Sequence, residues 1–164
     1  MSSGDLGCVV VAVDSSEESM NALNWAIRNV KLRPNDGHLL ILHVQSPPSI
    51  ATGLNPGAIP FGGPSDFEVP AFNAAIEKHQ QRISDAIINH AVEICSKENV
   101  NYKTQVVIGD PKEKICQVVE ELHADLLVIG CRAFGPIKRM FLGSVSNYCS
   151  NHAVSPVMIV KSTS

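Results

Sequence analysis

Apolar residues recur along this chain in two rhythms. Cys8 to Val13 is apolar throughout, and Leu126 to Ile129 is four large aliphatics in a row. Runs without alternation predict strands buried on both faces, as in a parallel sheet. His38–Val44, Tyr102–Ile108 and Val157–Lys161 read as three more strands. Between the strands the period changes to that of a helix. Met20, Leu23, Ile27 and Val30 mark a first helix, with Ser15 and Glu18 at capping-box spacing and a stop before Arg33-Pro34-Asn35-Asp36-Gly37. Ile76, Ile83, Ile87, Ala91 and Ile94 predict one face of a long helix ending near Glu98-Asn99. Asp110 as N-cap and Pro111 as first helical residue open a third helix with Ile115, Val118, Val119 and Leu122 inward. A fourth runs from Gly143-Ser144 through Tyr148 and His152. Strands alternating with helices imply parallel strands joined by right-handed crossovers, an open α/β sheet with helices on both faces. Only Gln45–Pro70, with six prolines and four glycines, breaks the alternation, and it reads as a long loop within one domain spanning residues 1–164.

Candidate chemistry concentrates between Leu126 and Ser146. The apolar run ends in Gly130, where the backbone is expected to turn, and a basic loop with Arg132, Lys138 and Arg139 follows. Gly143-Ser144-Val145-Ser146 then opens a helix whose first N–H groups would point back at the strand end. That is a phosphate site in outline, with Gly143 to Ser146 supplying N–H and hydroxyl donors and Arg132 or Lys138 adding charge. What is missing narrows the ligand. No G-x-x-x-x-G-K-(S/T) occurs and the turn after the first strand holds no glycine, so neither a P-loop nor a dinucleotide-binding Rossmann fingerprint is supported. A mononucleotide remains, with Gly130 letting a ribose approach the backbone.

Composition trims the alternatives. A formal net charge of −3 and a single adjacent basic pair, Lys138-Arg139, argue against a general nucleic-acid or membrane-surface binder. No segment reaches the run of about 18 apolar residues that a membrane span needs, and the N-terminal stretch has no basic region of a signal peptide. Five cysteines, Cys8, Cys95, Cys116, Cys131 and Cys149, form no C-x-x-C pair, which speaks against a disulfide framework or a zinc site and for a reducing compartment, cytosol or nucleus. Cys8 and Cys116 read as small apolar fillers, whereas Cys131, placed just past Gly130 on a basic loop, is a candidate for a lowered thiol pKa and regulated oxidation. The six histidines sit at no metal or triad spacing, and His43 inside the second strand reads as a structural residue.

The spacing Gly130, two residues, Ala133, nine residues, Gly143-Ser144 resembles the nucleotide signature of the universal stress proteins, G-x2-G-x9-G-(S/T), with Ala133 where the second glycine is expected. VVVAVDSSEES near the start, VIGCRAFGPIKRMFLGSVSNYC and the closing SPVMIVK are similar to the plant single-domain branch of that family. The resemblance covers nearly the whole chain. It implies a Rossmann-like, twisted five-stranded parallel sheet of order 3-2-1-4-5, so that Asp14, Val44, Gly109-Asp110 and Gly130 would ring one crevice at the switch point. It further implies an adenine-nucleotide site for ATP or AMP, with Mg2+ or Mn2+ on the phosphates. In that site Asp14 faces the ribose or base, Val44 packs on adenine, and Gly130 with Gly143, Ser144, Val145 and Ser146 hold ribose and phosphates, while Ala12, Val13, Gly109, Ile129, Arg132 and Ala133 complete the expected binding residues. A methyl group at Ala133 would crowd a phosphate or strain a left-handed backbone.

Three functions follow from that resemblance. The first is a nucleotide-binding sensor or regulatory dimer in stress response. The second is a slow ATPase, weakened because no carboxylate other than Asp14 or Asp110 is in view to activate water. The third is a nucleotide-independent holdase or redox-linked stress protein, hinted at by Ala133 and the apolar stretch Ala58 to Phe72. In the 3-2-1-4-5 order Val157–Val160 is an edge strand with only Lys161 to charge it, so pairing with the same strand of a second copy is the expected way to cover it.

Overall fold

The computed structural model of the chain describes residues 5–47, 68–132 and 143–162. Ala133, Lys138, Arg139 and most of the proline-rich stretch therefore lie outside the described residues. Five strands, β1 (Cys8–Ala12), β2 (His38–Gln45), β3 (Tyr102–Ile108), β4 (Leu126–Arg132) and β5 (Val157–Ser162), form one parallel sheet in the order β3-β2-β1-β4-β5. The helices between them are α1 (Glu17–Asn29), α2 (Glu68–Lys97), α3 (Pro111–Glu121) and α4 (Ser144–His152).

The unbroken aliphatic runs are explained by burial on both faces. In β1, Val9 and Val11 enter a core with Leu23 and Ala26 of α1 and Ile87, Ala91 and Cys95 of α2. Val10, pointing the other way, packs with Leu40, Leu42, Leu127 and Ile129 against Ile115, Val118 and Val119 of α3 and Cys149 of α4. Among the described residues two helices thus cover each face, and β1 and β4, side by side through Val9↔Leu126 and Val11↔Val128, form the seam where the winding reverses. Asp125 ties that seam at its lower end, its carboxylate accepting from the backbone N–H of Gly7 at 2.8 Å and of Cys8 at 3.1 Å.

Several expectations need correcting. Gly130 does not end β4, which continues through Cys131 to Arg132. A Cβ on Gly130 would lie 2.2 Å from the carbonyl oxygen of Glu18, so the glycine is there to let the first turn of α1 sit against the strand. Cys131 is accordingly a buried strand residue, 5% exposed, and not a loop thiol. The cap of α1 is Ser16, whose hydroxyl accepts from Ser19 N–H at 3.2 Å, in place of the Ser15/Glu18 pair. On α2 the inward face runs Ser84, Ile87, Ala91, Cys95, while Ile83 is 38% exposed. Ser84 takes the inward place because its hydroxyl donates at 2.9 Å to the buried Gln45 side chain. The helix also begins at Glu68, so Pro70 falls in its first turn, where a missing N–H costs nothing. Leu122 is the C-cap of α3 and 43% exposed. Asp110 caps α3 as expected, accepting from Lys112 N–H at 3.2 Å.

Candidate functional site

At the carboxyl ends of β1 and β4, the first turns of α1, α3 and α4 converge on a cavity of about 330 Å3. Its walls are Ala12 at the end of β1 with Val13 and Asp14 after it, Leu42 and Val44 of β2, Ile129, Gly130 and Cys131 of β4, Ser16, Glu18 and Ser19 at the start of α1, Pro111 and Ile115 of α3, and Gly143 to Ser146 at the start of α4. The volume lies in the range of small-molecule sites, and the position is where ligands bind in open α/β sheets.

Each wall has its own chemistry. Leu42 and Val44 alternate onto the α3 face of β2, and with Ile115 and Ile129 they make the aliphatic part of the lining. His43, between them, points the other way. It is 7% exposed with Nδ1 at 2.9 Å from the Val13 carbonyl oxygen, and that carbonyl sets Nδ1 as the protonated nitrogen. Val13 N–H in turn donates to Leu42 O at 2.9 Å, so the turn that presents Asp14 is pinned to β2 from both sides of one residue. The Asp14 carboxylate accepts from Ser16 N–H at 2.8 Å and from the Ser16 hydroxyl, a local turn that holds one of its oxygens.

The α4 wall is built from donors. Gly143 is the N-cap, with φ −55° and ψ 152°, and among the described residues no side chain caps the first N–H groups of the helix. Ser146 is 2% exposed and turns its hydroxyl to the Gly143 carbonyl at 3.0 Å. The helix N-terminus carries partial positive charge and no acidic residue in its first turn. An aliphatic wall beside a helix N-terminus suits a molecule with an apolar part and an anionic part, and the hydroxyl and carboxylate groups at the start of α1 suit polar groups between them.

The structure thus brings Ala12, Val13, Asp14, Val44, Ile129, Gly130 and Gly143 to Ser146 to one cavity. Gly109 is not on its wall. It adopts φ 152°, and its N–H donates to Gln45 O at 3.1 Å, closing the sheet beside β2. Asp110 is likewise occupied as the α3 cap, and Pro111 takes the place on the wall expected of them. Arg132 lies at the end of β4. Sequence reasoning missed Leu42, Ser16, Glu18, Ser19, Pro111, Ile115 and Cys131. Leu42 was findable as the residue two before Val44 on the same strand face. Glu18 was not, since a carboxylate 8% exposed on the first turn of a helix looks from sequence like a solvated helix start.

Burial, then the hydrogen bond with Cys116, pushes the Cys149 thiol up to about 12. Among the described residues no three His, Cys, Asp or Glu side chains are grouped to hold a metal ion, and no helix is long and apolar enough to cross a membrane.

Comparison with known proteins adds to this geometry. A model of the universal stress protein family matches residues 8–161. Universal stress protein PHOS34 of Arabidopsis thaliana is 36% identical over 159 residues, 92% of this chain, and the chain spans 60% of that protein's length. Among solved structures, a universal stress protein family protein from Arabidopsis thaliana with AMP bound superposes with a TM-score of 0.61 at 26% identity, over 96% of this chain and 92% of the other. A universal stress protein in complex with cAMP shares the fold at a TM-score of 0.62 and 18% identity, over 96% of this chain and 99% of the other.

Proposed function

The chain belongs to the universal stress protein family, and from that footing we propose that its cavity is an adenine-nucleotide site, taking ATP or AMP, in a regulatory module of stress response. The observation that carries the reading is the N-terminus of α4, capped by no side-chain hydrogen bond, facing a cavity with an aliphatic wall of Leu42, Val44, Ile115 and Ile129 and a polar wall of Asp14, Ser16, Glu18 and Ser19. Adenine would pack on Val44, Leu42 and Ile115, the ribose would meet Asp14 and the backbone of Val13 and Gly130, and the phosphates would accept from the N–H groups of Ser144 to Ser146. The Arabidopsis relative with AMP bound supports the adenine part of this assignment. Mg2+ or Mn2+ would enter with ATP as a hard cation on phosphate oxygens and water.

The module's role would be to signal nucleotide state through conformation and partner choice, as a dimer joined along β5. That strand pairs with β4 on one side, and its Met158 is 38% exposed. Five free thiols suit a reducing compartment such as the cytosol.

Native mass spectrometry of the freshly purified full chain tests the nucleotide reading. Added mass equal to ATP or AMP, or micromolar affinity for either by calorimetry, is the expected result. A folded protein that carries no nucleotide and binds neither ATP nor AMP at millimolar concentration would overturn it in favour of a nucleotide-independent stress protein.

A further inference from the structure

Beyond the nucleotide cavity, the contact between α3 and α4 holds a pair of thiols. The Sγ atoms of Cys116 and Cys149 are 3.6 Å apart, although 33 positions separate the two residues in sequence. Cys149 is fully buried and also lies 3.9 Å from the Lys112 carbonyl oxygen, in the first turn of α3, while Cys116 is half-buried at the rim of the same core. Among the described residues no third ligand completes a metal site here, so two sulfurs in contact have their chemistry with each other. A disulfide needs the sulfurs at about 2.05 Å, so the two must close by roughly 1.5 Å.

We propose that Cys116 and Cys149 form a modification site, a dithiol that a small hydroperoxide converts into a disulfide joining α3 to α4. The half-buried Cys116 is the sulfur a molecule as small as hydrogen peroxide reaches. Its sulfur takes one peroxide oxygen as the O–O bond breaks, giving Cys116 sulfenic acid, and the other oxygen leaves as water with the thiol proton. Cys149 then attacks the Cys116 sulfur. The S–S bond forms, the S–O bond breaks, and hydroxide leaves as water with the Cys149 proton. Two thiols have been oxidised by two electrons and one peroxide reduced to two waters. Burial keeps Cys149 a protonated thiol at neutral pH and so a weak nucleophile towards peroxide, and it is the contact with Cys116 at 3.6 Å that puts it in reach of the sulfenic sulfur. Because α3 supplies Pro111 and Ile115 and α4 supplies Gly143 to Ser146 to the cavity, the bond would staple two of its walls together. The site stands on the contact geometry and does not depend on what the cavity binds.

Peptide mapping of the full chain tests this. The reduced protein is treated with hydrogen peroxide at neutral pH, remaining thiols are alkylated, and the digest is weighed. The expected result is a linked peptide pair containing Cys116 and Cys149, two hydrogens lighter than its parts and released by dithiothreitol. It should vanish in Cys116→Ser and in Cys149→Ser and persist in Cys8→Ser. The oxidised wild-type protein should also melt higher, by about 10 °C if the chain-entropy effect of closing this loop is fully expressed. Sulfinic acid accumulating at Cys116 while Cys149 stays alkylatable would overturn the proposal, as would a disulfide at another pair with these two still reduced.

Discussion

Gly143→Asp separates the fold from the proposed phosphate site, because the two respond in opposite directions. At Gly143 the backbone has φ −55° and ψ 152°, which any L residue adopts, and among the described residues an added Cβ would meet only the Ser146 hydroxyl at an ordinary 3.6 Å. Aspartate is a preferred N-cap, and its carboxylate would accept from the N–H groups of the first turn that the glycine leaves uncapped. Against glycine the cap gains a few tenths of a kcal/mol, and a negative charge at a helix N-terminus adds about 0.3–1 kcal/mol. The variant should therefore melt at or slightly above the wild-type temperature. A phosphate, however, needs the same donors, and it would meet the new charge at about 5 Å, where repulsion at an effective dielectric of about 20 is roughly 3 kcal/mol. At tenfold per 1.4 kcal/mol, ATP affinity should fall by more than about 100-fold.

Titration calorimetry with ATP, AMP and adenosine, each against Gly143→Asp and Gly143→Asn, resolves the contributions. Asparagine caps the donors without the charge, so ATP should lose only about tenfold there, an effect of roughly one hydrogen bond. Adenosine lacks the anion and should bind both variants as it binds the wild type, whereas the loss for ATP in the aspartate variant should shrink as salt is added. A Gly143→Asp protein that melts normally and binds ATP with unchanged affinity would refute the assignment of phosphate to this helix.

Three further outcomes are expected. Gly130→Ala drives a methyl group to 2.2 Å from the Glu18 carbonyl oxygen, so α1 must move off β4, and thermal unfolding should show a loss of about 2 kcal/mol or more; an unchanged melting temperature would mean the close approach is not a constraint. Burial pushes the Cys95 thiol up to about 11 from 9.0, so the unfolded chain ionises first, and the stability held below pH 9 should be lost as pH rises towards 11. In that window Cys95→Ala should show a shallower decline than the wild type by up to about 1.4 kcal/mol per pH unit, and parallel curves would show the thiol does not titrate on unfolding. If β5 pairs across a two-fold axis, Met158→Lys places a charge in the seam and should shift light-scattering mass from dimer to monomer, while a wild-type monomer or a dimeric variant would remove this edge as the interface.

How much of this was legible in the sequence depends on whether one physical cause acted alone at a position. β1 was legible because burial on both faces leaves no alternation to misread; Tyr102–Ile108 matches β3 residue for residue although that edge strand holds no buried residue, and the 3-2-1-4-5 order followed from the family resemblance. The misreadings fall where a second cause competes. Ile83 fits the apolar period of α2, yet it yields the inward place to Ser84 because the buried Gln45 side chain has to be satisfied by a hydrogen bond. Gly130 looked like a turn, since a glycine after four aliphatics usually ends a strand. Its role is set instead by Glu18, 112 positions away in sequence, and no local pattern encodes that distance.

The candidate site repeats the lesson with a functional consequence. Residues contributed as a contiguous motif, Gly143 to Ser146, were readable, as was Asp14 at a strand end. Residues contributed by geometry alone were not: Glu18, Ser19 and Ile115 reach the cavity only because α1 and α3 begin at the carboxyl edge of the same sheet. The same geometry corrects Cys131. Once β4 runs on past Gly130, the thiol leaves the basic loop for a buried strand, and the redox chemistry expected of it passes to Cys116 and Cys149, which only the packing of α3 on α4 brings into contact. A parallel sheet collects its helix starts along one edge, so the first turn of every helix is a candidate wall even where its sequence looks like an ordinary cap. In this chain those first turns supply both N–H donors, from α4, and aliphatic contacts, from α3, so the two ends proposed for the ligand would each meet a different helix start.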